Sequence, residues 1–183
     1  MMTTDLSVDR QLYQHFAHLF HYPDGATGSV AAACRELLRP SSPTAADQLE
    51  EFSAAITASG SRRLEELYTA TFELQPQCYP YVGYQLCGES QQRIFFLMKL
   101  NEIYRQEDFR SGGELPDHLA ELLRYLGTTR DPQRRDEIVD DALLPAVDKL
   151  LGALAQEEHP YRRLLTALRL FLGATREEKG VLS

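Results

Sequence analysis

Apolar residues recur with the period of a helix along most of this chain, and a single long stretch lacks that period. Over residues 5–21, Leu12, Tyr13, Phe16, Leu19 and Phe20 share one helical face, and the run stops at Pro23-Asp24-Gly25. A second helix is predicted over about 27–39, ending before Pro40, and a third from Pro43 or Thr44 to about 58. Leu64, Leu67, Tyr68 and Phe72 mark a fourth, after Gly60-Ser61. From Gln75 to Gly88 no helical period is visible, and Pro76, Pro80, Gly83 and Gly88 break the segment. The spacing predicts a long loop there, and long loops inside compact domains are often functional.

The helical period resumes from Glu89 with Ile94, Phe95, Leu97, Met98, Leu100, Ile103 and Tyr104. Gly112 and Gly113 then interrupt it. Pro116 suits a first helical position, where its missing N–H costs nothing, and Leu119, Leu122, Leu123 and Leu126 form the stripe that follows. A helix opened by Pro116 places Asp117 and His118 on its first turn, with Glu114 just upstream. A further helix over about 132–153 contains Pro145, which should bend it or mark a boundary. Tyr161, Leu164, Leu165, Leu168, Phe171 and Leu172 define the last one. The ends, 1–4 and 174–183, are expected to fray. No strand alternation and no repeat is found. The expected fold is all-α, a single-domain compact bundle of about seven to nine helices over 1–183.

Composition narrows the function classes. The chain has 19 Lys plus Arg against 27 Asp plus Glu, a formal charge of −8, which disfavours a phosphate backbone and argues against nucleic acid. Cys34, Cys78 and Cys87 form no closely spaced pair, so reduced, mostly core thiols are expected. The N-terminus has no basic and apolar leader pattern, and no apolar run approaches the roughly 18 residues of a membrane span. Cytoplasmic location, without stable membrane insertion, is the expectation.

The candidate chemistry is sparse. His15, His18 and His21 drift around a helix axis and lack a local carboxylate or thiolate partner, so no metal site is expected. Gly83 and Gly88 do not make a phosphate loop. Asp117 on a first turn complements the positive helix end, which favours a capping role. Asp117 and His118 as an acid–base pair, oriented by Glu114, are geometrically poor because adjacent helical residues diverge by about 100°. Tyr79, Tyr81 and Tyr84, near Tyr68 and Phe72, suit either a lid over the core or a surface for an apolar peptide.

Three separated motifs occur in order: Phe16-Ala17-His18-Leu19-Phe20 followed by Tyr22-Pro23, then Gly88-Glu89-Ser90-Gln91-Gln92-Arg93, then Glu114-Leu115-Pro116-Asp117-His118. Together they resemble the NarJ/TorD/DmsD family, assembly chaperones of molybdenum oxidoreductases, and look closest to its nitrate reductase branch. The resemblance covers roughly residues 10–127. It implies an all-helical chaperone, not an enzyme, with no cofactor of its own. Such a chaperone binds the N-terminal peptide, a twin-arginine signal or its remnant, of a molybdoenzyme catalytic subunit until its cofactors are inserted. By the same resemblance, Glu114, Asp117 and His118 mark a hinge or peptide-contact region supported by Glu89 and Arg93, with Tyr81 and Tyr84 beside it. The acidic groups would pair with client arginines, and the oligomeric state would be a monomer or a domain-swapped dimer. Two other readings stay open: a small hydrolase or transferase using Asp117 and His118, and weak guanine nucleotide or molybdopterin contact as an adjunct to chaperoning.

Overall fold

The computed structural model describes the backbone of residues 2–156 and 158–180 and the side chains of 7–156 and 158–175. Its helices are α1 (Met2–Leu19), α2 (Thr27–Leu38), α3 (Pro43–Ser59), α4 (Ser61–Tyr68), α5 (Val82–Cys87), α6 (Gln91–Gln106), α7 (Leu119–Leu126), α8 (Pro132–Ile138), α9 (Leu144–Ala153) and α10 (Pro160–Gly180). A π segment, Thr69–Glu73, extends α4, and another, Val139–Leu143, joins α8 to α9. Counting α8 to α9 as one rod gives nine, and no strand occurs among the described residues, so the molecule is an all-α bundle.

Burial of the predicted stripes builds the core. α10 lies along α3, α3 along α2, and α1 against α2 and α7. Phe16, Leu19 and Phe20, the first motif, are no more than 1% exposed, so this motif is core and not surface. Phe16 stacks on Phe171 and Phe20 meets Phe72, while Phe52, Tyr68 and Phe72 surround Tyr161. Burying each such ring contributes on the order of 2 to 3 kcal/mol.

Pro145 marks a boundary, as its position leads one to expect, and three other local expectations change. The rod over 132–153 is divided at Leu144 because Pro145 lacks an N–H and its ring crowds the preceding turn, and the wider π turn accommodates both. The segment Gln75–Gly88 is not a bare loop: it holds a 3-10 turn, Pro76–Cys78, and the short helix α5. Cys34 and Cys78 are buried, as expected of core thiols, but Cys87 at the end of α5 is exposed. The apolar run of α6 belongs to two faces. Leu100, Ile103 and Tyr104 are buried, while Ile94, Phe95 and Met98 are each more than half exposed. The expected fraying of 1–4 and 174–183 lies mainly outside the residues whose side chains are described; the α10 backbone is helical to Gly180.

Candidate functional site

The unpatterned stretch and the Glu114–His118 turn meet. Val82 N–H donates to Asp117 O and Leu119 N–H donates to Pro80 O, both at 2.7 Å, forming an isolated antiparallel bridge between Tyr81 and His118. The turn itself is closed by His118 N–H to Leu115 O at 3.0 Å and braced by the Tyr104 hydroxyl, which donates to Pro116 O at 2.8 Å. These bonds satisfy backbone groups that would otherwise be buried without partners.

This arrangement corrects the helix start. Pro116 sits in the turn and α7 begins at Leu119, with His118 as its N-cap. His118 Nδ1 accepts from Ala120 N–H at 3.1 Å, so the cap is the imidazole and not the Asp117 carboxylate. A helix running back to Pro116 would withdraw Asp117 O and Leu119 N–H from the extended Pro80–Val82 segment, and the bridge wins. Burial, then the neighbouring His21, pushes the His118 pKa down to about 4, with Glu121 opposing. The ring is therefore neutral at pH 7. It stacks on His21 at 5.7 Å and meets the edge of Tyr81 at 5.2 Å.

Asp117 is fully buried. Arg93 Nε and Nη2 fork onto its two carboxylate oxygens at 3.1 and 3.4 Å. The same guanidinium lies 5.5 Å from the Tyr81 ring and 5.7 Å from that of Tyr84. Such a pair is costly to break, since losing one partner strands the other charge. Gly83 makes the approach possible: a Cβ there would lie 2.8 Å from both Asp117 Oδ2 and the Phe96 ring. Ser90 caps α6 by accepting from Arg93 N–H, which explains the Ser and Arg of the second motif. Glu89 is exposed and, among the described residues, makes no hydrogen bond or ion pair, so it does not brace this pair.

Glu114 faces outward instead. It accepts from the Tyr81 hydroxyl at 3.1 Å, and burial together with Glu114 pushes the Tyr81 pKa up to about 12. Tyr81, Glu114 and His118 line a cavity of about 270 Å³. Its other walls are Tyr68, Phe72, Tyr79 and Pro80, with Glu73 at the end of the π segment. Tyr84 packs on Tyr79 at 5.5 Å, and the half-exposed Tyr22 packs on Tyr68 at the same distance. Nothing in the sequence marks Glu73 as a site residue. It follows Phe72, and only the widened π turn shows that one points in and the next lines the rim.

The geometry does not suit acid–base chemistry at Asp117 and His118. The carboxylate is committed to Arg93, and His118 Nδ1 is committed to the α7 N-terminus. No hydrogen bond joins the two side chains, whereas an acid–base pair needs direct contact or one bridging water. Among the described residues no cluster of His, Cys, Asp and Glu could hold a metal ion, and no helix is long and apolar enough to cross a membrane.

A family model for the nitrate reductase delta subunit matches residues 36–173. The chain belongs to this family. Its members are maturation chaperones for redox enzymes. The match extends through α8, α9 and most of α10, beyond the reach of the three motifs. Among solved structures, the fold resembles that of a candidate redox enzyme maturation protein from Archaeoglobus fulgidus, with a TM-score of 0.61, 20% identity, and coverage of 90% of this chain and 93% of that one. No curated protein matches the sequence.

Proposed function

We propose that this chain is a cytoplasmic maturation chaperone that binds the N-terminal peptide of a molybdoenzyme catalytic subunit and holds the subunit until its molybdenum cofactor is inserted. The observation that carries this reading is the aromatic cavity with Glu114 and Glu73 at its edge, set on a turn that Arg93, Asp117 and Tyr104 make rigid. Tyrosines offer large flat faces with polar tips, and grooves of this kind receive one face of an amphipathic helix. Membership of the delta-subunit family supports a client of the nitrate reductase type. Glu114, Tyr81, Tyr84 and His118 form the contact surface in this reading, while Asp117 and Arg93 act from behind it.

Isothermal titration of the full chain with synthetic N-terminal peptides of molybdoenzyme catalytic subunits from the same genome tests the reading. Binding is expected for one of them, together with molybdenum-deficient client in a strain lacking the chaperone. No binding, with unchanged client molybdenum content in that strain, would overturn it.

A further inference from the structure

α6 carries a seam that the described residues leave uncovered. Gln91, Phe95, Met98, Glu102 and Arg105 recur at alternating steps of four and three residues, the spacing by which one helix faces another. All five are exposed, Phe95 by 61% and Met98 by 62%, and Ile94 beside them by 57%. The opposite face of α6, with Leu100, Ile103 and Tyr104, is buried in the core, and Arg93 reaches Asp117 from that side. The polar ends of the seam identify what would cover it. Gln91 and Glu102 lie at equal distances in sequence from the midpoint of Phe95 and Met98. A second α6 laid antiparallel on the first therefore brings each Phe95 against the partner's Met98, and each Gln91 amide donor against the partner's Glu102 carboxylate. The same alignment sets Arg105 against the residues just before the partner's helix, where Glu89 stands. Glu89 and Arg105 are both exposed and neither makes an ion pair among the described residues, so each supplies the charge that the other lacks. A parallel pair would instead set Glu102 on Glu102 and Arg105 on Arg105.

We propose that this face of α6 joins two copies of the chain in a twofold, antiparallel dimer without exchange of segments, Phe95 packing on Met98 and Glu89 pairing with Arg105 at both ends. Each residue pair then occurs twice, so the contact closes on itself and does not propagate. A thioether against an aromatic ring is a favourable contact, and opposite charges at the two ends fix the alignment. A membrane surface suits the seam poorly, because Glu102 lies within it and the chain has a formal charge of −8. A client helix would have to offer an anion and a cation at the matching positions, whereas a second copy holds them by symmetry. α6 is about 24 Å long, and one such helix pair buries less than the roughly 1,000 Å² expected of a stable interface, so the dimer is weak and exchanges rapidly. The aromatic cavity lies on the Arg93 side of α6 and stays open in it.

Sedimentation equilibrium of the full chain over about 5 to 500 μM tests this. The average mass should climb from that of one chain, 20.8 kDa, towards that of two, with a dissociation constant on the order of 100 μM. Phe95→Ser with Met98→Ser should abolish the association. Glu89→Arg and Arg105→Glu should each weaken it about tenfold alone, and together should restore it to within about twofold of wild type. That rescue separates paired charges from a simple change of net charge. No association at about 500 μM, single reversals without effect, or a double reversal as weak as the singles overturns the proposal. So does a dimer that persists for hours after dilution, since slow release marks exchanged segments. If Phe95→Ser with Met98→Ser removes client-peptide binding and leaves association unchanged, the face belongs to the client and the proposal falls.

Discussion

The bundle formed by α1, α2, α3, α7 and α10 is apolar inside and polar outside, whereas residues 75–118 reverse part of that pattern. The first region buries Phe16, Phe52, Tyr161 and Leu164 and leaves most of its ion pairs, such as Arg39–Asp47, at the surface, the buried Glu121 of α7 with Arg124 being the exception. The second buries Asp117 under Arg93 and exposes Ile94, Phe95, Met98 and Leu115. Exposed apolar groups beside buried charge contribute little to stability, so their arrangement is better understood as serving contact. One region makes the fold; the other spends part of that stability on a shaped surface.

The comparison can be broken first in the core. Phe52→Ala should cost about 4 kcal/mol in urea unfolding, through lost burial and the cavity left behind, with peptide affinity of the folded fraction unchanged. Asp117→Ala should cost about 3 kcal/mol by stranding Arg93, and should also weaken peptide binding because Tyr81 and Tyr84 lose their backing. A change in stability without a change in binding would separate the pair from the site.

Acid should reach the second region through His118. Its pKa falls from the unfolded 6.5 to about 4 in the fold, so the contribution is complete above pH 6.5 and is lost as pH drops toward 4. The loss amounts to as much as about 3 kcal/mol. His21 and Glu121 face this ring, so the comparison is with His118→Asn, whose stability should lack this step. The smallest effect belongs to the outer face of α6. Met98→Ser should change stability by less than about 0.5 kcal/mol, since little is buried there; a loss above about 1 kcal/mol would mean that α6 is packed more tightly than its exposure indicates.

The helices were legible because a 3.6-residue apolar period has few other ways to be buried, and Leu119, Leu122, Leu123 and Leu126 illustrate it. The site was legible only in outline. Arg93 and Asp117 were both singled out, yet their pairing across 24 residues has no local signature. A one-residue bridge leaves no alternation to read, so the apolar pattern starts α7 three residues early and points to Asp117 in place of His118 as the cap. α5 is six residues long and contains Gly83, too short to show a period. Glu73 is hidden because it ends a π turn that the helical period does not foretell.

The Tyr81–His118 bridge also has a kinetic consequence. α2 and α3 join neighbours in sequence, but Tyr81 reaches Glu114 across 33 residues, and closing such a span costs chain entropy before any contact repays it. The recognition surface should therefore be among the later parts to assemble. Pulse-labelled hydrogen exchange during refolding would show the amides of Val82 and Leu119 protected after those within α2 and α3. A nascent copy of this chain would be helical well before it could hold anything.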